Sequence, residues 1–85
     1  MVVVHFKTIN QQTQVEIMIE EDKTVEELIK LFFKSIYRPD LFGDKSIYFL
    51  YRGNILGHDS KELIKNIFNK NHDSNRVIVL DNEDN

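Results

Sequence analysis

The chain has 85 residues, of which 41% are hydrophobic and 29% are charged, so it suits a single domain whose core is just large enough to fold without disulfides. It contains no cysteine, which excludes thiolate catalysis and cysteine metal sites and is compatible with a reducing compartment, so we expect a cytoplasmic or nuclear protein. The net charge of -3 argues against nucleic acid as the main partner, and no apolar run approaches the roughly 20 residues of a membrane span.

Two strands joined by a short polar turn open the chain. In residues 2–9 and again in residues 14–20, apolar residues recur at every second position, which is typical of a strand with one buried face. The connection at residues 10–12 is short enough to predict a hairpin, so the two strands should run antiparallel. The residues expected to face the core are Val2, Val4 and Phe6, followed by Val15, Ile17 and Ile19.

A helix is predicted between Thr24 and Pro39. Thr24 can accept a hydrogen bond from the first helical turn and Glu27 can reach back to it, which is the capping-box pattern. The helix should end before Pro39, because a proline disfavours the helical conformation of the preceding residue. On the polar side we expect Glu26 and Lys30 to pair one turn apart. The apolar stripe at helical spacing is Val25, Leu28, Ile29, Phe32 and Ile36.

The next predicted strand has an unusual pattern, because five apolar or aromatic residues follow one another from Ile47 to Tyr51. A strand with one face in water should alternate apolar and polar residues. We expect Ile47, Phe49 and Tyr51 to point under the helix, and Tyr48 and Leu50 to point outward. Because both outward residues are apolar or aromatic, this face is predicted to contact a partner.

The remaining segments are a short helical turn within residues 59–69, a polar loop at 69–75 and a last strand at 76–80. The order strand, strand, helix, strand, short helix, strand predicts an α+β fold of the β-grasp type, with a mixed four- to five-stranded sheet packed on one main helix. The last strand should lie parallel to the first. We expect the domain to span residues 1–80 and residues 81–85 to form a flexible acidic tail.

Six short segments carry a resemblance to a known family. They are Phe6-Lys7-Thr8, Thr24-Val25-Glu26, Pro39-Asp40, Phe49-Leu50-Tyr51-Arg52-Gly53, Asn66-Ile67 and Val77-Ile78-Val79-Leu80. On these residues, and on the register of the inward positions, the chain resembles the ubiquitin superfamily over about residues 1–80. The small ubiquitin-like modifiers fit nearly as well around residues 49–53. The resemblance implies a ubiquitin-like domain.

The resemblance also implies a protein-binding face on the outer side of the sheet. The four positions of ubiquitin's main apolar recognition patch match Ile9, Leu50, Ile78 and Leu80. Strand alternation independently places the last three on the face away from the helix, with Tyr48 beside them. A contiguous exposed apolar patch usually marks a partner site, across which a short amphipathic helix could lie.

Arg52 completes the predicted site, because it is the cation expected nearest to this patch. The positions that match ubiquitin's basic rim include Tyr48 and Asn54, so partners that need that rim should bind poorly or with altered preference. The leading hypothesis is a monomeric, non-conjugated ubiquitin-like module that binds a protein partner through its sheet face. We expect the partner to be a ubiquitin-receptor or proteasome-type protein of the ubiquitin–proteasome system, rather than a nucleic acid or a membrane.

Two alternatives remain open. A conjugated ubiquitin-type modifier needs a terminal Gly-Gly, whereas residues 81–85 contain no glycine. A Ras-association-like domain docks its second strand on a small GTPase through basic side chains, whereas this strand and the residues after it carry Glu16, Glu20 and Glu21. We expect neither an enzyme nor a cofactor or metal site, because the three histidines lie on different elements without ligand or catalytic spacing.

Overall fold

The protein folds as a five-stranded mixed sheet with one main helix across one face. The computed structural model describes residues 1–9, 13–70 and 75–81. In chain order the elements are β1 (Val2–Thr8), β2 (Gln14–Ile19), α1 (Val25–Ser35), a 3-10 turn (Pro39–Leu41), β3 (Ile47–Tyr51), β4 (Asn54–Leu56), α2 (Ile64–Ile67) and β5 (Arg76–Asp81). The strands are ordered β2-β1-β5-β3-β4, which confirms the predicted fold class.

Three predicted segments lie wholly or partly outside the described residues. They are the turn at 10–12, the polar loop predicted at 69–75, of which 71–74 are not described, and the tail predicted at 81–85, of which 82–85 are not described. Asp81 is described, and it pairs with Ile47 as the last residue of β5. The last strand therefore ends one residue later than predicted. None of the helices in the described parts of the chain is long and apolar enough to cross a membrane.

The pairing of the strands follows the predicted topology. β1 is antiparallel to β2 and parallel to β5, because the chain crosses over through α1 before it returns. β3 is antiparallel to β5 and to β4. Arg52 and Gly53 form the two-residue turn between β3 and β4, with φ angles of 52° and 82°. Two positive φ angles are the signature of a type I′ turn, whose twist matches that of the strands it joins.

The core lies between the sheet and α1 and is built around phenylalanine rings. Phe6 of β1 stacks on Phe32 of α1 with 4.7 Å between ring centroids, and Phe49 of β3 meets both rings edge-on. The predicted inward residues of the strands are buried, except that Val15 is half-buried. The buried strand residues on this face are Val2, Val4, Phe6, Ile17, Ile19, Ile47, Phe49, Tyr51, Leu56, Val77 and Val79.

The start of α1 has the predicted capping box. The Thr24 hydroxyl oxygen accepts a hydrogen bond from the backbone N–H of Glu27 at 3.2 Å. In return, the Glu27 carboxylate accepts one from the backbone N–H of Thr24 at 3.2 Å. Two N–H groups that a helix start leaves without a partner are therefore satisfied by one pair of side chains.

The predicted ion pair between Glu26 and Lys30 is wrong, because each side chain meets a different partner. The Glu26 carboxylate pairs with Lys61, which precedes α2, and this contact raises the pKa of the Lys61 ammonium above its ordinary value. The Lys30 ammonium lies 5.1 Å from the centroid of the Phe42 ring. Contacts with residues outside the helix have therefore replaced a local ion pair, which would stabilise the helix by about 0.5 kcal/mol at most.

The helix α1 ends at Ser35, earlier than Pro39 would require. Tyr37 takes a left-handed conformation with φ of 63°. Its N–H donates to the Lys34 carbonyl at 3.1 Å, and the N–H of Arg38 donates to the Phe33 carbonyl at 2.9 Å. These two bonds form a Schellman motif, in which the left-handed residue is usually glycine.

The second helix is shorter than predicted, because the residues before it form hydrogen bonds with the first turn of α1. The carbonyl oxygens of Ser60 and Glu62 accept hydrogen bonds from the N–H groups of Glu26 and Val25, at 3.0 and 2.9 Å. Because these carbonyl groups point toward the start of α1, they are directed away from the axis of a helical turn of their own. Of the predicted residues 59–69, only Ile64–Ile67 are helical.

The loop that leads into β3 is held by His58. Its Nδ1 accepts a hydrogen bond from the Gly43 N–H at 3.0 Å, and its Nε2 lies 2.9 Å from the Ile47 carbonyl oxygen. Its ring also contacts Phe49, with 5.3 Å between centroids. Leu41 and Phe42 of this loop pack against the core.

Candidate protein-binding surface

Four of the predicted site residues form two cross-strand pairs on the outer face of the sheet. In the β3–β5 register, Tyr48 lies opposite Leu80, and Leu50 lies opposite Ile78. Directly opposite side chains on antiparallel strands are about 5 Å apart at Cβ, so each pair is in contact range. Tyr48 is 37% exposed and the other three side chains are partly exposed. Their role in binding stays a prediction.

The other two predicted residues, Ile9 and Arg52, lie outside these cross-strand pairs. The N–H of Ile9 donates to the Val79 carbonyl at 3.1 Å, so Ile9 lies beside the β5 segment that carries Leu80, and it is 47% exposed. Arg52 lies in the β3–β4 turn with its guanidinium 5.4 Å from the centroid of the Tyr51 ring. The Tyr51 side chain is buried on the helix side of the sheet. Arg52 thus contacts the end of the hairpin rather than extending the apolar pairs.

Two residues that the sequence did not predict continue the Leu50–Ile78 pair in both directions. Ile55 of β4 pairs with Leu50 and is 63% exposed, and Lys7 of β1 pairs with Ile78 and is exposed. The four residues Ile55, Leu50, Ile78 and Lys7 therefore form one row across four strands, which we call the outer row. Ile55 was missed because the sequence does not mark the three-residue strand β4.

Polar side chains flank one side of the outer row. His5 of β1 pairs with Arg76 of β5 and with Glu16 of β2, and its Nδ1 lies 3.7 Å from the Glu16 carboxylate. Tyr48 and Leu80 flank the opposite side. The register also places Lys7 directly beside Ile78, so a second cation lies next to the apolar pairs. The role of Arg52 stays a prediction.

A second apolar surface lies at the opposite edge of the sheet, in a groove between β2 and α1. It has a volume of about 570 Å³, and its apolar residues include Met18 and Leu31, which are 61% and 39% exposed. Charged residues, among them Lys34 and Glu20, also line it. The groove does not contact the predicted site, so substitutions there can serve as controls for substitutions in the outer row.

A metal-binding cluster is absent from the described residues. Within residues 1–9, 13–70 and 75–81, no three histidine, aspartate or glutamate side chains are grouped so that they could hold a metal ion. The two hydrogen bonds of His58 go to backbone groups of the loop and of β3. A histidine used in this way anchors main chain.

Solved structures with the same arrangement of strands and helix support the interpretation of the fold. The crystal structure of the UBL domain of Plasmodium falciparum Dsk2 matches with a TM-score of 0.67 and 22% identity, over 94% of this chain and 96% of that one. A solution structure of a computationally designed protein, based on human erythrocytic ubiquitin, matches with a TM-score of 0.68 and 10% identity. The match covers 100% of this chain and 96% of that one. The chain has the ubiquitin-like fold. No family model and no curated protein matches the sequence.

In the ubiquitin-like fold seen here, the apolar pairs lie on the sheet face opposite α1. Phe49 and Val79 form the intervening pair on the other face, where they pack under the helix. A charge introduced at Leu50 or Ile78 would therefore enter the outer face rather than the core. This separation makes it practical to test the surface without unfolding the domain.

Proposed function

We propose that this ubiquitin-like domain is a non-catalytic binding module that presents the outer face of β3 and β5 to a protein partner. The observation that carries the proposal is the pairing of Leu50 with Ile78 and of Tyr48 with Leu80, which makes one continuous apolar area. A contiguous apolar patch at the surface, formed here by three partly exposed side chains and Tyr48, often marks a partner site. The pairing does not help to hold α1, because these side chains point away from it.

We further propose that the partner belongs to the ubiquitin–proteasome system and is a proteasome subunit or a ubiquitin receptor. The support is the ubiquitin-like fold together with the match of four aliphatic positions to ubiquitin's recognition patch. Tyr48 and Asn54 stand at positions that match ubiquitin's basic rim, whereas Lys7 lies beside Ile78. Since charge at the rim sets preference among partners, we expect a subset of ubiquitin receptors to bind. A cytoplasmic or nuclear location remains our prediction.

The direct test measures binding of purified 26S proteasome to the immobilised domain. Leu50→Arg should weaken binding at least tenfold, because a charged side chain would be buried in an apolar contact without a partner. Ile78→Arg should have the same effect. Circular dichroism and thermal melting would establish that both variants are folded.

Met18→Arg is the matched control. It adds the same charge to an apolar residue that is 61% exposed on β2, two strands away from β5, and it should leave binding within about twofold of the wild type. Undiminished binding of both face variants would contradict the proposed surface. Absence of binding by the wild-type domain would contradict the proteasome as partner.

A further inference from the structure

We infer that His58 is an acid-sensitive latch, whose neutral ring holds the loop at residues 42–46 closed and whose protonation releases that loop. His58 lies in the segment between β4 and α2, and its ring bridges the loop and the first residue of β3. The side chain is half-buried, so protons from water can reach it. The latch is independent of the proposed function, because its operation needs no partner.

The two hydrogen bonds of the ring define its protonation state. The Gly43 N–H can only donate a hydrogen bond, so the Nδ1 atom 3.0 Å away must carry a lone pair. The Ile47 carbonyl oxygen can only accept one, so the Nε2 atom 2.9 Å away must carry the proton. The closed loop therefore requires the neutral form of His58 with its proton on Nε2.

A proton added to Nδ1 is incompatible with the closed loop. It would set two N–H groups against each other across 3.0 Å, and neither could accept a hydrogen bond from the other. The ring would have to turn away, and the Gly43 N–H would lose its acceptor. Because the same ring contacts Phe42 and Phe49, at 5.9 and 5.3 Å between centroids, its movement would also loosen the packing of the loop on β3.

Charged groups stand around His58 on each element packed against it. They are Asp44 in the loop, Asp59 next in the chain, Lys30 of α1 over the Phe42 ring, and Asp81 of β5 opposite Ile47. Hydrogen bonds from the Ser46 N–H and hydroxyl, together with the charge of a protonated His58, lower the pKa of the Asp44 carboxyl, so it stays ionised in mild acid. An ionised Asp44 attracts the charged ring, and Asp59 and Asp81 act in the same sense, while Lys30 opposes them. Protonation therefore exchanges one arrangement of the ring for another, as a switch requires.

Acid should destabilise the domain through this residue. In an unfolded chain a histidine takes up a proton below about pH 6.5, whereas the closed loop excludes the proton from Nδ1. The open and unfolded states are therefore favoured as the pH falls, because they bind one more proton than the closed state. The contribution of the latch to stability is present above about pH 7.5 and is lost on the acid side of about pH 6.5.

NMR of the unaltered chain between about pH 7.5 and pH 5 tests the latch without any substitution. At the higher pH the ring nitrogens of His58 should show the neutral form with the proton on Nε2. As the ring becomes charged, the amide signal of Gly43 should move with it, because the hydrogen bond of that amide is lost. The amide of Leu28, which donates to the Thr24 carbonyl at 3.1 Å, is the internal reference and should stay in place. A Gly43 signal that does not move while the His58 ring becomes charged would overturn the inference.

A second test compares wild type with His58→Gln, whose amide offers one acceptor and one donor and does not titrate. Between about pH 7.5 and pH 5, the unfolding equilibrium constant of wild type should rise at least about fivefold more than that of His58→Gln. The limit is about thirtyfold, which complete exclusion of the proton from the folded state would give. Urea denaturation measures both constants.

His5→Gln is the matched control for this comparison. The His5 Nδ1 lies 3.7 Å from the Glu16 carboxylate on the outer face, where a charged ring gains an ion pair, so this variant should keep the acid sensitivity of wild type. Equal acid sensitivity of wild type and His58→Gln would overturn the inference.

Discussion

At the scale of single residues, Asn75 joins three parts of the chain from a fully buried position. Its side-chain amide donates to the carbonyl oxygens of Val3, at 3.0 Å, and Asn69, at 2.6 Å, and its carbonyl oxygen accepts from the Asn69 N–H at 3.1 Å. Its own backbone carbonyl accepts from the N–H of His5 at 2.8 Å. One asparagine thus ties the start of β5 to β1 and to the segment after α2.

We expect Asn75→Ala to lower the free energy of unfolding by about 3 kcal/mol or more, because it leaves several buried polar groups without partners. Chemical denaturation would measure the loss. Asn66→Ala is the control, since its amide meets only the exposed Glu62 carboxylate among the contacts described, and it should cost less than about 0.5 kcal/mol. A similar small loss in both variants would contradict a structural role for Asn75.

The importance of Asn75 could not be predicted from the sequence, because its partner Val3 lies 72 positions away along the chain. The same holds for His58, whose two backbone partners are 15 and 11 positions away. Each residue stands in a polar segment where its neighbours are equally polar. Only the fold shows which of them enters the interior.

At the scale of elements, the C-terminus of α1 contains a strained residue. Tyr37 occupies the left-handed position of the Schellman motif with φ of 63°, and its side chain is 89% exposed. A left-handed conformation costs a residue with a side chain about 1–2 kcal/mol. An exposed tyrosine gains little packing in return.

Tyr37→Gly should therefore raise the free energy of unfolding by about 1 kcal/mol, since glycine adopts this conformation without steric cost. A rise in melting temperature would be the measurement. Tyr37→Ala keeps a Cβ atom and with it the strain, so it should give no comparable gain. Equal stabilisation by both variants would show that removal of the aromatic ring, rather than relief of the backbone, is responsible.

The elements also differ in how well the sequence predicts them. The two-residue period of β1 and β2, the apolar runs of β3 and β5 and the capping box of α1 are local signals, and the structure confirms the elements that they predict. The left-handed Tyr37 and the local hydrogen bonds of the Schellman motif end α1 before Pro39, a stop that the sequence does not mark. The length of α2 depends on hydrogen bonds between the segment before it and the start of α1, so its predicted bounds were wrong. β4 is three residues long and leaves no period in the sequence, which is why Ile55 escaped the predicted site.

At the scale of the whole molecule, the candidate surface is assembled from residues far apart in the chain. Its row runs from Ile55 through Leu50 and Ile78 to Lys7, and the sheet order brings these strands together. The sequence predicted the apolar centre of the surface, because alternation assigns each strand residue to a face. It could not predict the neighbours of that centre, which require the register between strands.

The surface is most directly tested by methyl NMR of the domain during addition of purified 26S proteasome. Bound partner should broaden the methyl signals of Leu50, Ile55 and Ile78, because these side chains face outward together. The methyl signals of Met18 and Leu31, in the groove between β2 and α1, should remain sharp in the same sample. Broadening confined to Met18 and Leu31 would contradict the proposed surface.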